Sequence, residues 1–232
     1  MDALSQTIAY LTDPQNWSGP GSIPVRLAEH VAISGISLII ALLIALPVGI
    51  WIGHTGRFTS LAVNSANIWR ALPSLAVIAI VLPITAAIDP QAGFKVYPTI
   101  IAMVVLAVPP ILVNAYAGLS EVDRDVLEAG RGMGMNERQL LRRVELPLSV
   151  AAIATGVRSA SVQVIATATL GAVFGFGGLG RYLVDGLSNL SRGGIGQIFT
   201  GVILVSGLVL VTDFLLGLLE RRLTPAGVKV AR

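Results

Sequence analysis

Cysteine is absent from the 232 residues, which excludes a disulfide framework and any thiolate metal site. Lysine occurs only twice, as Lys95 and Lys229, each followed by valine. A Walker A loop requires Gly-x-x-x-x-Gly-Lys-Ser/Thr. The chain therefore has no P-loop, and any ATP that drives it binds another polypeptide. Charged residues make up only 12% of the chain, about half of the ~25% usual in a soluble domain. Aromatic residues are scarce as well, at 6%. What is abundant is apolar: 54% of residues, with a mean hydropathy of +0.79. A soluble globule could not cover itself with so little polar surface, whereas a bilayer accepts apolar side chains. This balance speaks against a soluble enzyme, a disordered chain and a nucleic-acid binder. The pI near 9.7 reflects a net charge of only +3.

The apolar residues fall into runs. Val31–Gly53 holds 23 uncharged residues, enough at ~1.5 Å each to cross a ~30 Å hydrocarbon core. Further spans are expected at 71–88, 96–119, 151–176 and 198–219, the third kinked by Pro109-Pro110. The expected fold is all-α and polytopic with five spans. Residues 1–30 form an extracytoplasmic N-terminal segment, 31–225 the transmembrane domain and 226–232 a tail. Residues 1–24 lack a basic n-region and a cleavage site, which argues against a signal peptide. Within them Leu4–Leu11 suits a short interfacial helix. Residues 58–70 are expected as a helix along the interface. With the tail inside, eleven Lys/Arg face the cytoplasm and four face outward, with Arg158 in a span. The amino terminus is then outside.

Residues 121–145 break the pattern, with eleven of the 29 charges. This cytoplasmic loop, 120–147 with its flanks, reads as two short helices. Ser120 and Asp123 form a capping-box-like start, and Gly134 stops the first helix near Met133. Asn136 with Gln139 starts the second, and Pro147 is expected to end it at Leu146. The spacing Glu128-Ala129-Gly130, three residues, Gly134, nine residues, Val144-Glu145-Leu146-Pro147 resembles the cytoplasmic signature of ABC importer permeases. That signature is Glu-Ala-Ala, three residues, Gly, nine residues, Ile-x-Leu-Pro. Only Gly130 and Val144 depart from it, and the glycine loosens the helix by ~1 kcal/mol relative to alanine.

More of the chain, roughly 30–225, is similar to the osmoprotectant permeases of that superfamily. The similar stretches are His30–Ser34, Ile44–Ile50, Ala71–Ala76, Gly156–Ala160, Thr167–Leu170, Gly177–Gly180 and Asp213–Leu223. The resemblance implies a methionine-importer-like permease fold. The implied solute is glycine betaine, choline, carnitine or a similar quaternary ammonium compound. Related permeases carry methionine and other small solutes, so an amino acid is the alternative. The implied partners are two ATP-binding subunits, a second permease subunit, identical or related, and an extracytoplasmic substrate-binding protein. Membrane lipids surround the chain, and nucleic acid has no part. The resemblance assigns docking on the ATPase to the loop, with Glu128, Ala129, Gly130, Arg131, Gly134, Asn136 and Pro147 as coupling residues. No span carries an aromatic cluster, so the cage for a quaternary ammonium is expected on the separate binding protein. No catalytic residue, metal or cofactor is expected.

Arg158 and Asp213 are the only formal charges inside the expected spans. They suit a structural ion pair, independent interfacial positions or a place in the translocation pathway. Pro73, Ser74, Thr167 and Thr169 join Arg158 as pathway candidates, being small polar or kinked positions among apolar neighbours. His30 and His54, at opposite ends of the first span, read as interfacial, and Trp17, Trp51 and Trp69 as interface anchors. Gly175–Gly180 satisfies Gly-x-Gly-x-x-Gly, yet it follows a membrane span and lacks the acidic residue a dinucleotide site needs. It reads as a flexible, closely packed exit from the fourth span. A secondary transporter or channel would need titratable groups or a filter in the spans. A membrane-embedded enzyme would need a His/Asp/Glu cluster there.

Overall fold

The computed structural model describes residues 2–70 and 72–224, and every regular element among them is helical. Ala71, where the second span was expected to begin, and the tail 226–232 lie outside the described residues. Helix α1 (Ala3–Thr12) is capped by Asp2, whose carboxylate accepts from the Ser5 amide. Helix α2 (Ile23–Thr55) carries Pro24 in its first turn, where no amide partner is lost, and ends on Gly56 in the left-handed region. Helices α3 (Thr59–Arg70) and α4 (Ser74–Ile88) are separate elements. The apolar helix therefore starts at Ser74, with Pro73 as its cap, and its 15 residues reach only ~22 Å. Four other helical stretches are long and apolar enough to cross a bilayer: 23–55, 92–120, 137–174 and 194–223.

After the one-turn helix α5 (Ala92–Lys95), helix α6 (Tyr97–Ser120) runs as one element through Pro109 and Pro110. Helices α7 (Arg124–Gly132) and α8 (Glu137–Leu140) form the polar loop. Helix α9 (Leu146–Ala168) continues as a 3-10 turn over Thr169–Phe174. Helix α10 (Gly180–Ser188) occupies the Gly-rich segment, and α11 (Gly194–Leu223) closes the described chain.

Small residues decide where the long helices touch. A Cβ at Gly49 would lie 2.8 Å from the Leu112 carbonyl oxygen, and one at Gly156 would lie 2.7 Å from Asn114 Cβ. Glycine thus lets α2 and α9 approach α6 backbone to backbone, the packing that membrane helices use where the hydrophobic effect is weak. Between them lies a core of Ile33, Ala41, Ala45, Met103, Ala107, Ile111, Ala160, Val164 and Ala168. Helix α4 adds Val77 and Ile78 against Ala102 of α6. Helix α1 packs on α11, and Tyr10 meets Tyr182 of α10 edge-on at 6.0 Å. The outward faces of α2, α4 and α11 are rows of exposed Ile, Leu, Val and Phe, as a lipid-facing surface requires.

Candidate functional site: the polar loop and its footing

The loop begins one turn later than expected. Ser120 ends α6, and Asp123 caps α7 by accepting from the Asp125 amide. Gly134 follows with φ +84, a conformation that glycine adopts without strain. Asn136 and Gln139 make a reciprocal capping box, each side chain accepting the other's amide at 2.9 Å. Pro147 does not end the second helix. Leu146 stays helical, and its amide reaches back to the Leu141 carbonyl, so Leu141–Glu145 is a π-turn. The widened turn lets proline sit at the start of α9, where its missing amide costs little, and the helical path runs on from 137 to 174.

Gly130 is buried against Leu140, whose Cδ1 would lie 2.7 Å from an added Cβ. That glycine seats α7 on α8. Glu128, Ala129, Arg131, Gly134 and Asn136 are exposed, and Pro147 is half-buried. On α7 the exposed Val126 and Met133 share a face with Ala129, an apolar strip on a charged helix. Arg131 donates through Nε and a terminal nitrogen to Glu137 at 3.0 and 3.3 Å, and this holds the Glu137 carboxyl below its ordinary value.

The loop stands on two residues whose pairing sequence reasoning missed. Glu145, at the end of the π-turn, is 3% exposed, and its Oε2 lies 2.5 Å from His54 Nδ1 in the last turn of α2. His54 Nε2 faces Glu137 Oε2 at 3.9 Å. His54 was expected at the interface, and its position at a span end gave the only signal. Nothing in the local sequence joins it to a carboxylate 91 residues away.

His30, also expected near the membrane interface, is fully buried within the bundle. Its Nε2 donates to the Ile165 carbonyl at 3.0 Å, and its Nδ1 accepts from the Leu179 amide at 3.3 Å. Those two roles require the neutral ring. Beside it, Glu29 accepts from the Gly178 amide at 2.7 Å and from Arg26 at 3.0 Å. The Gly-rich exit from α9 is closely packed as expected, but it is pinned rather than flexible. Gly178 has φ +73, and a side chain at Gly177 would strike the Glu29 carboxylate. Nearby, burial pushes the Tyr182 phenol up to about 12.

Within the bundle, Arg158 of α9 donates through Nε and, at 2.6 Å, a terminal nitrogen to Asp213 of α11, with Glu220 3.7 Å away. The pair is half-exposed and borders a cleft of about 400 Å³ with Thr155, Ser159 and Val162. The other pathway candidates do not gather there. Thr167 is buried and lies ~13 Å along α9 from Arg158. Thr169 bonds its hydroxyl to the Ala166 carbonyl, while Pro73 and Ser74 start α4, which packs on α6. Trp17, Trp51 and Trp69 are all exposed. Among the described residues no group of three His, Asp or Glu could hold a metal ion.

Residues 45–225 match the family described as the inner membrane component of binding-protein-dependent transport systems. The chain belongs to this family. It is 38% identical to the carnitine transport permease protein OpuCB of Listeria monocytogenes, over 90% of this chain and 91% of that one. It is 36% identical to the choline transport system permease protein OpuBB of Bacillus subtilis, over 90% and 92%. Among solved structures it is similar to a chain of the inward-facing MetNI methionine ABC transporter. The TM-score is 0.75 at 22% identity, covering 92% of this chain and all of that one. The fold is thus that of ABC importer permeases, and the protein is a transport component of the membrane.

Proposed function

We propose that this permease carries a quaternary ammonium osmoprotectant of the glycine betaine, choline or carnitine kind. It does so as one half of a pathway completed by a second permease subunit, identical or related. The observation that carries the solute class is the similarity to carnitine and choline permeases along nine tenths of each chain. Two ATPase subunits supply the energy, since the chain has no P-loop, and they grip the polar loops from the cytoplasm. A binding protein delivers solute at the outer face, where the amino terminus lies by the Lys/Arg bias.

Two features of the fold support this reading. The α7 helix offers Val126, Ala129 and Met133 as a small apolar face for a cleft, with Glu128 and Arg131 beside it for polar contacts. The half-exposed Arg158–Asp213 pair would be costly against lipid. A water-filled pathway or a second subunit over the α9–α11 face removes that cost.

Uptake by vesicles holding the permease, its ATPase and its binding protein tests the proposal. With labelled glycine betaine and choline, ATP-dependent accumulation of either is the expected result. Failure with both solutes, while another loaded binding protein stimulates ATP hydrolysis, would keep the importer and overturn the solute class.

A further inference from the structure

The polar loop has two routes by which a displacement reaches the membrane helices. One is the backbone, through α8 and the π-turn into α9. The π-turn is the irregular point of that route, and an extra residue in a helical ladder is where a helix bends. The other route is a line of four side chains. Arg131 of α7 bonds Glu137 of α8, Glu137 faces His54 Nε2, and His54 Nδ1 lies 2.5 Å from Glu145 Oε2. The last contact sits on the π-turn itself, because Glu145 is its final residue.

The burial of that contact is informative. The Glu145 side chain is 4% exposed, and a carboxylate is kept in such a place only with a partner that satisfies it. Replacing it by an apolar residue would be the simpler way to fill the space. The imidazole comes from the end of α2, which is itself seated on α6: a Cβ at Gly53 would lie 2.7 Å from Leu119 Cβ. The pair therefore joins the irregular turn to a closely packed edge of the bundle.

We propose that His54 is a positioning residue of the energy-coupling step. Its bond to Glu145 braces the π-turn, so that a displacement of α7 and α8 moves α2 and α9 together instead of being absorbed by bending at 141–145. The inference rests on the reading that the loop docks on an ATPase, and it adds the element that carries the motion into the first long helix.

The test uses the complete complex in vesicles and reads labelled glycine betaine or choline taken up per ATP hydrolysed. It also reads the amount of ATPase subunit that co-purifies. Two chains are compared with the original: His54→Ala, and the exchange of His54→Glu with Glu145→His. His54→Ala is expected to lower uptake per ATP about tenfold, and the exchange to restore most of it. An unchanged ratio in His54→Ala would overturn the brace. So would a reduced yield of complex with the ratio intact, since that is what a merely structural contact produces. A fall that the exchange does not restore would also count against it. If the original chain recruits no ATPase, the importer reading fails and the brace with it. If the original couples normally and His54→Ala couples as well, only the brace fails.

Discussion

Helix α2 carries one histidine near each end, and the two ends are built on different principles. At the end remote from the polar loop, His30 and Glu29 bond to backbone across the bundle, to the Ile165 carbonyl and the Leu179 and Gly178 amides, and Glu29 also takes Arg26 one turn back on its own helix. At the loop end, side chains bond to side chains: His54 to Glu145 and Arg131 to Glu137. Backbone partners cannot leave without unmaking a turn, so the first arrangement is a fixed joint. Side-chain pairs can part and re-form, so the second suits a region that moves. A polar group in an apolar bundle can thus serve either rigidity or transmission, and its partner decides which.

The largest effect should come from breaking the fixed joint. His30→Ala removes the bonds to a buried carbonyl and a buried amide and opens a cavity. A loss of about 3 kcal/mol or more is expected in unfolding of the purified chain in detergent. If stability were unaffected, the contrast between the two ends would collapse. Next comes the pair in the bundle. Arg158→Ala should lower the yield of assembled complex, and adding Asp213→Ala should lower it little further. Additive losses in this cycle would mean that the two charges act separately.

A smaller effect is expected from acid at the loop. Arg131 donates to Glu137 and lowers the carboxyl below its usual 4.5. The unfolded chain therefore binds that proton more readily. The contact stabilises the loop at all pH above 4.5 and is lost as the pH falls below it through the lowered folded value. Lower hydrogen-exchange protection of the α7 amides, relative to their intrinsic rates at each pH, is expected below that pH and is absent in Glu137→Gln. The smallest effect should be that of Gly130→Ala. The new methyl crowds only the flexible end of Leu140 and makes an ordinary contact with Met135, and the gain in helix propensity of ~1 kcal/mol offsets the crowding. Thermal unfolding should show a change close to zero.

Much of the loop was legible in the sequence because its signals are local. A capping box needs only Asn136 and Gln139, and a C-terminal stop needs only Gly134. Pro147 was misread for the same reason. The rule that the residue before proline leaves the helix considers two residues, whereas the π-turn spreads the adjustment over Leu141–Glu145. The separate helix before the second span was expected, but that span's helix starts at Ser74 and not at 71, because hydropathy is blind to a proline cap inside an apolar run. The Gly-rich exit looked loose because glycines favour flexibility when nothing holds them. Here Glu29 and His30 hold them, from 149 positions away.

By itself the sequence determined the solvent, the helical class and the place of the polar loop. These follow from composition and from patterns within a few turns of chain. Only the tertiary structure decided which polar groups meet. His30 and His54 are both histidines at the ends of one apolar helix. What separates them is the chain that folds against each, and a bond that spans 91 or 149 residues leaves no local trace.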